Sequence, residues 1–194
     1  MTIFLILAPY GAFAALMLVT SAPVSLLCGA LACLAVIALD IARGRSIKIL
    51  SLGSVVVFTA VGSYLTFADA TLSSTAVKIA VDAGIFLVAL SSIVFRHPFA
   101  RQYAMEVVDA ETARLPSFEG VNYRITWAWT AAMLLMMVGN FAVLYVPGLP
   151  LWSGLLIAVA ARNSAVCFTR WYPQYRKAKY VKYGTPPANA LPSL

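Results

Sequence analysis

Four polar residues stand inside otherwise apolar stretches of this chain, and their types define the chemistry open to it: Asp82, Asn140, Arg162 and Tyr64. An ionisable side chain within a membrane-spanning helix costs about 2.5–3.5 kcal/mol on insertion scales, so each one is a functional candidate by default. Asp82 could relay a proton. Arg162 could hold a small anionic solute, with Asn140 and Tyr64 as hydrogen-bonding neighbours in one polar centre. Gly154, Ala158 and Arg162 recur every four residues, which gives a helix face small enough for another backbone to approach and sets the cation in that contact. A second reading needs no function. Asp82 and Arg162 neutralise each other, or Asp82 pairs with Lys78 one turn away while Arg162 extends toward inner carbonyls. Asp40, beside Arg43, reads as an interface ion pair.

What the chain lacks narrows the enzymes. His97 is its single histidine, so haem held by two histidines, a di-iron centre and a histidine zinc site are excluded within one chain. Cys28 and Cys33 are five apart, about 140° round a helix, and cannot chelate together. Cys167 stands alone, and three cysteines make no disulfide framework. No glycine-rich phosphate loop, nucleophile elbow or metalloprotease helix motif occurs. The reading therefore assigns no catalytic residue, no metal and no cofactor.

These residues must be positioned by helices in a membrane. Of 194 residues 62% are apolar and 11% charged, with mean hydropathy +0.87, whereas about a quarter of a soluble domain is charged. A hydrocarbon core about 30 Å thick needs roughly 20 apolar residues per helix. Six stretches qualify: 2–20, 24–42, 49–67, 77–95, 125–146 and 151–168. Runs such as Met133-Leu134-Leu135-Met136-Met137 lack the alternation of a transmembrane barrel. The first stretch is read as a retained helix, because no Lys or Arg precedes it, it outruns a signal core, and Pro23 would follow the scissile bond. The fold class is thus an all-α, polytopic membrane protein, with residues 1–170 as the six-helix domain.

Basic residues orient it. Arg43, Arg45 and Lys48 follow the second span, Arg96, Arg101, Arg114 and Arg124 follow the fourth, and Arg170, Arg176, Lys177, Lys179 and Lys182 follow the sixth. Only Lys78 and Arg162 of the 14 fall elsewhere. Short loops rich in Lys and Arg stay cytoplasmic, so both termini are expected inside. The inner loop opens with Pro98 and is expected to form an amphipathic surface helix over 98–114, presenting Phe99, Arg101, Tyr103 and Glu106 to a partner or to lipid. Residues 171–194 are expected as a basic, aromatic juxtamembrane segment with a disordered end. In it Trp171, Arg176, Lys177, Lys179 and Lys182 anchor the last helix to anionic inner-leaflet headgroups. No nucleic-acid partner is called for, since the position next to a span explains the composition.

Two segments carry a resemblance. Gly44-Arg-Ser-Ile-Lys-Ile-Leu-Ser-Leu-Gly53, entering a span from the inner side, and Tyr123-Arg-Ile-Thr-Trp-Ala-Trp129, leading to Gly139-Asn140, resemble bacterial intracellular septation protein A and its relatives over about residues 40–146. The segment Phe99-Ala-Arg-Gln-Tyr-Ala-Met-Glu106 resembles that of uncharacterised bacterial membrane proteins of similar plan. The resemblance implies a multi-pass protein of the bacterial inner membrane, linked to envelope maintenance or division, with no catalytic residues to carry over. The expectation is a scaffold or accessory subunit with a protein partner or a second copy in the membrane. The alternatives are a small transporter or channel at the Asp82, Arg162 and Asn140 centre and, third, an inner-leaflet enzyme using Arg101, Tyr103, Glu106 and His97.

Overall fold

The computed structural model describes residues 2–17, 19–68, 71–114 and 116–182, and among them every regular element is helical. The helices are α1 (Thr2–Leu16), α2 (Ala22–Ala42), α3 (Ile49–Phe67), α4 (Ser74–Val94), α5 (Phe99–Ala104), α6 (Ala110–Ala113), α7 (Pro116–Tyr145) and α8 (Leu151–Lys182). Among the described residues four helices, α2, α3, α4 and α7, are long and apolar enough to cross a membrane. The first expected span is shorter, because α1 ends at Leu16 after 15 residues. The last expected span is the front of the 32-residue α8.

Each long helix packs on the next, in the order α1, α2, α3, α4, α7, α8, with α5 and α6 against α7 at one end. Short connections enforce this antiparallel row. Pro23 sits in the first turn of α2, where a missing N–H costs nothing, and Gly148 takes φ +85° in the turn before α8. At the end of α2 a Schellman turn closes on Gly44 at φ +67°, with the Gly44 and Arg45 amides donating to the Ile41 and Asp40 carbonyls. The end of α4 repeats that turn with Arg96 at φ +56°, a conformation that ordinarily favours glycine.

Close approach comes from reciprocal notches. Gly53 of α3 receives Val88 of α4, and Gly84 of α4 receives Val57 of α3. A Cβ on either glycine would lie 2.5 or 2.6 Å from a valine methyl. The pair α7 and α8 repeats the device, with Gly139 receiving Ile157 and Gly154 receiving Val143. Between α1 and α3 the rings of Tyr10 and Phe13 pack on Phe58, at centroid distances of 6.0 and 5.3 Å. Large apolar side chains such as Leu27, Leu31, Leu52, Val56, Leu87 and Leu155 point outward, as a lipid-facing surface requires.

The loop after α4 departs from the expected single helix. After α5 the chain turns through residues 105–109 and restarts as α6, capped by Asp109, whose carboxylate accepts the Thr112 amide at 2.6 Å and its hydroxyl at 3.2 Å. Those two donors hold the Asp109 carboxyl below its ordinary pKa. The β-branched pair Val107-Val108 and a residue that prefers caps explain the break. Pro116 then opens α7, nine residues before the expected start at Ile125, because proline is well placed in a first turn.

Candidate functional site

The expected polar centre is assembled in part. Asn140 on α7 donates its side-chain amide to a carboxylate oxygen of Asp82 on α4, at 2.6 Å. Across the same contact Asn140 Oδ1 faces Gly154 of α8, where a Cβ would stand 3.3 Å from it, so the glycine is what lets α8 close on this pair. Arg162 takes no part. Among the described residues no ion pair within 4.0 Å joins it to Asp82, and none joins Lys78 to Asp82. Tyr64 is 52% exposed on the outer side of α3. The row order accounts for this: Asp82 faces α7, Tyr64 faces away from the bundle, and Arg162 lies on the flank of α8. The face of α8 that meets α7 runs through Gly154, Ile157, Ala161 and Ala165, with Ala132, Trp129 and Met136 opposite, so Ala158 and Arg162 are half-buried beside the contact.

A second polar cluster lies at the end of the bundle that carries the basic loops, around a residue that sequence reading treated only as an orienting charge. Lys48, 2% exposed, caps α3 in extended backbone. Its ammonium donates to Asp40 Oδ2 at 3.2 Å, to the Ser46 carbonyl at 3.1 Å and to Glu106 Oε1. An ammonium has three donors, and all three are used. Arg45 stands further out, 3.9 Å from Asp40 and 3.8 Å from Glu106, with a third of its side chain exposed. The Asp40 partner is therefore Lys48, with Arg45 beside it, and not the adjacent Arg43. The Schellman turn at Gly44 folds Lys48 back onto Asp40, which links this geometry to its glycine.

Helix α5 supplies the other half of the cluster. Gln102 Oε1 accepts the Ile49 amide at 2.8 Å, capping α3 from another element. The α5 amides of Phe99 and Ala100 donate to Ser92 at 3.4 Å and Thr126 at 3.3 Å. Phe99 is 4% exposed, Glu106 is engaged by Lys48, and Arg101 and Tyr103 are half-buried. So Phe99, Tyr103 and Glu106 of the four expected contact residues turn toward the bundle, with Arg101 half-buried beside them. The reason is the break after α5, which lets a short helix tuck into the bundle end where a longer one would lie across it. His97 is exposed and its ring bonds the nearby Phe95 carbonyl at 2.7 Å.

Between α5 and the bundle lies a cavity of about 10 Å³ lined by Pro9, Tyr10, Cys33, Val36, Leu50, Ser51, Ser54 and Tyr103, about the room one water needs. Tyr10 and Ser54 share a short hydroxyl hydrogen bond, and Ser54 donates to the Leu50 carbonyl at 2.6 Å. The Tyr103 hydroxyl is buried without a hydrogen bond of ordinary geometry, Ser51 being its polar neighbour. Burial pushes its pKa well up, and the Lys48 ammonium lies 5.8 Å from the ring centre. The lining offers hydroxyls and a free thiol and no paired base.

Past the expected end of the sixth span, α8 continues unbroken through Pro173 to Lys182. Phe168 stacks on Tyr172 and Trp171 on Tyr175, each at 5.0 Å, and Arg124 of α7 donates to the Tyr172 hydroxyl. The segment expected as a basic, aromatic juxtamembrane anchor is helical as far as the structure describes it. Trp171 and Lys177 are exposed, Arg176 is half-buried, and the side chains of Lys179 and Lys182 lie outside the described ones, as do residues 183–194. Gln102 and the burial of Lys48 escaped sequence reading, which took Asp40 as an ion pair beside Arg43. The available signal was an acid and a base bracketing Gly44, with a lone acid soon after the Pro98 helix start. Comparison with protein-family models, curated proteins and solved structures finds no match to this chain.

Proposed function

We propose that the chain is a six-span protein of the bacterial inner membrane, both termini cytoplasmic, that works by association as a scaffold or accessory subunit. The observation that carries this reading is that the charged groups inside the bundle at Lys48 and Asp82 are engaged by side chains of the same chain. Lys48 has its three acceptors, Asp82 has Asn140, and the hydroxyl-lined cavity has room for one water. Such groups hold helices in register, and a cavity of that size admits no solute or substrate. The likeness of residues 40–146 to septation proteins points to the same compartment. Contacts with a partner then fall on the outside, where Met105 and Val107 stand exposed beside α5 at the inner face.

A photo-crosslinking side chain placed at Val107, in cells, tests the reading. A protein adduct of one discrete mass is expected there, and lipid adducts alone at the bundle face residue Leu52. Saturable solute flux into liposomes holding the purified chain, abolished by Asp82→Asn, would overturn it in favour of transport.

A further inference from the structure

The outer flank of α8 carries a polar group that no other described residue partners. Leu155, Val159, Arg162, Asn163 and Val166 fall on one stripe by helical spacing. Leu155, Val159 and Asn163 are exposed, and Arg162 and Val166 are half-buried beside the α7 contact. Among the described residues the Arg162 and Asn163 side chains make no hydrogen bond, and Arg162 no ion pair.

Depth makes this a binding problem. Gly139 of α7 faces Ile157 of α8. Counting five residues back along α7 and five forward along α8 sets Arg162 level with Leu134. Leu134 lies in the apolar helix Ser117–Tyr145, eleven residues before its end, about 16 Å at 1.5 Å per residue. That is the middle of a core about 30 Å thick. A lipid phosphate is out of reach in either direction, and the Cα–Cβ bonds of α8 lean toward its Leu151 end, away from the nearer tail. An unpaired guanidinium there is costly, and a carboxylate at the same depth relieves the cost.

Among the described residues no carboxylate pairs with Arg162. Asp82 is bound to Asn140 between α4 and α7, and Asp40 is bound to Lys48 at the end of the bundle. A second copy meeting this stripe about a two-fold axis would bring Arg162 against Arg162, a like-charge pair in low dielectric. We infer that the α8 stripe at Arg162 and Asn163 is a docking surface for a membrane-spanning helix of another protein that presents an acidic side chain at mid-bilayer depth. This rests on the association reading and names the chemistry of the partner.

The test uses the full chain in liposomes, labelled at its C-terminus, with a synthetic probe: a lysine-flanked leucine helix of about 20 residues carrying one central Asp, and its all-leucine twin. Energy transfer is expected to report at least tenfold tighter association of the Asp helix. The preference should vanish in Arg162→Leu and largely survive in Arg162→Lys. Equal binding of the two helices, or a preference that persists in Arg162→Leu, would overturn the proposal. So would probe-free pairing of two chain copies that Arg162→Leu abolishes. Should Arg162→Leu not fold, the comparison of the two helices on the unaltered chain decides alone. A discrete adduct at Val107 without an Asp preference would overturn this surface and leave the association reading standing, whereas saturable flux abolished by Asp82→Asn would overturn that reading itself.

Discussion

An ammonium group has three protons to share, and at Lys48 each meets an acceptor on a different residue, Asp40, Ser46 and Glu106. Removing one partner of such a buried set strands the others, at a cost of about 3–5 kcal/mol. Lys48→Met is expected to fall in that range, measured by unfolding in mixed micelles. Arg45→Ala should cost under about 1 kcal/mol, because its pairs are long and part-exposed. Equal losses would mean that Arg45 clips α5 to the bundle as much as Lys48 does. Tyr103 adds a pH dependence. Its raised pKa keeps the phenol neutral in the fold, where the unfolded chain would ionise at about pH 10. The contribution of that burial is complete below about pH 10 and is lost as pH rises beyond it. Unfolding at pH 9 and pH 11 should therefore show a steeper alkaline loss in the wild type than in Tyr103→Phe, and identical slopes would place the phenol in water. None of this was legible from residue types alone. Lys48 counts in the sequence as one more inner cation, and its burial depends on the Gly44 turn and on a helix about 50 residues away. Asp82 and Asn140 were legible, since a polar side chain in an apolar run stands out whatever its partner.

Helix by helix, the central row was readable because length and hydropathy set it: α2 and α3 lie within two residues of the expected spans. The loop between α4 and α7 was not, because its break depends on Asp109 capping four residues and on α5 finding Ser92 and Thr126 to satisfy its amides. Nor was the pairing of notches, since a glycine in an apolar helix does not reveal which side chain fills it. The structure supplies the pairs, and they give a sharp expectation. A methyl on Gly53 would meet Val88, whose β-branched side chain cannot swing aside. Gly53→Ala should destabilise by about 1–3 kcal/mol through overpacking. Adding Val88→Ala should recover at least about 1 kcal/mol of it, the two sites being in contact. Strictly additive losses would separate α3 from α4 at this point. At the end of α4 the opposite sign holds. Arg96 sits in the left-handed region at φ +56°, where an L side chain costs roughly 1–2 kcal/mol, so Arg96→Gly should raise stability by a fraction of that, and a loss would mean the Arg96 side chain holds something of its own.

For the molecule as a whole, the number of crossings decides what the two end helices are for. Helices α2, α3, α4 and α7 form an even set, and the basic loops 43–48 and 96–115 lie between their pairs. If only those four cross, both termini emerge on the outer side and carry Arg170, Arg176, Lys177, Lys179 and Lys182 with them, against the bias that keeps such residues inside. If α1 and α8 cross as well, both termini lie inside and the same residues meet the anionic leaflet, each cation gaining about 1 kcal/mol there. The proposed topology takes the second case: α8 is held on α7 by the Gly139 and Gly154 notches along the candidate span of α7, and a helix so held shares the depth of its neighbour. A reporter fused after Lys182 separates the two. Fluorescence from a protein that matures only in the cytoplasm is expected, with no activity from a phosphatase that folds only outside, and a phosphatase fused after Leu149 should be active. An active phosphatase at Lys182 would reduce the crossings, lift Arg162 out of mid-bilayer depth, and with it remove the ground for a partner helix on α8.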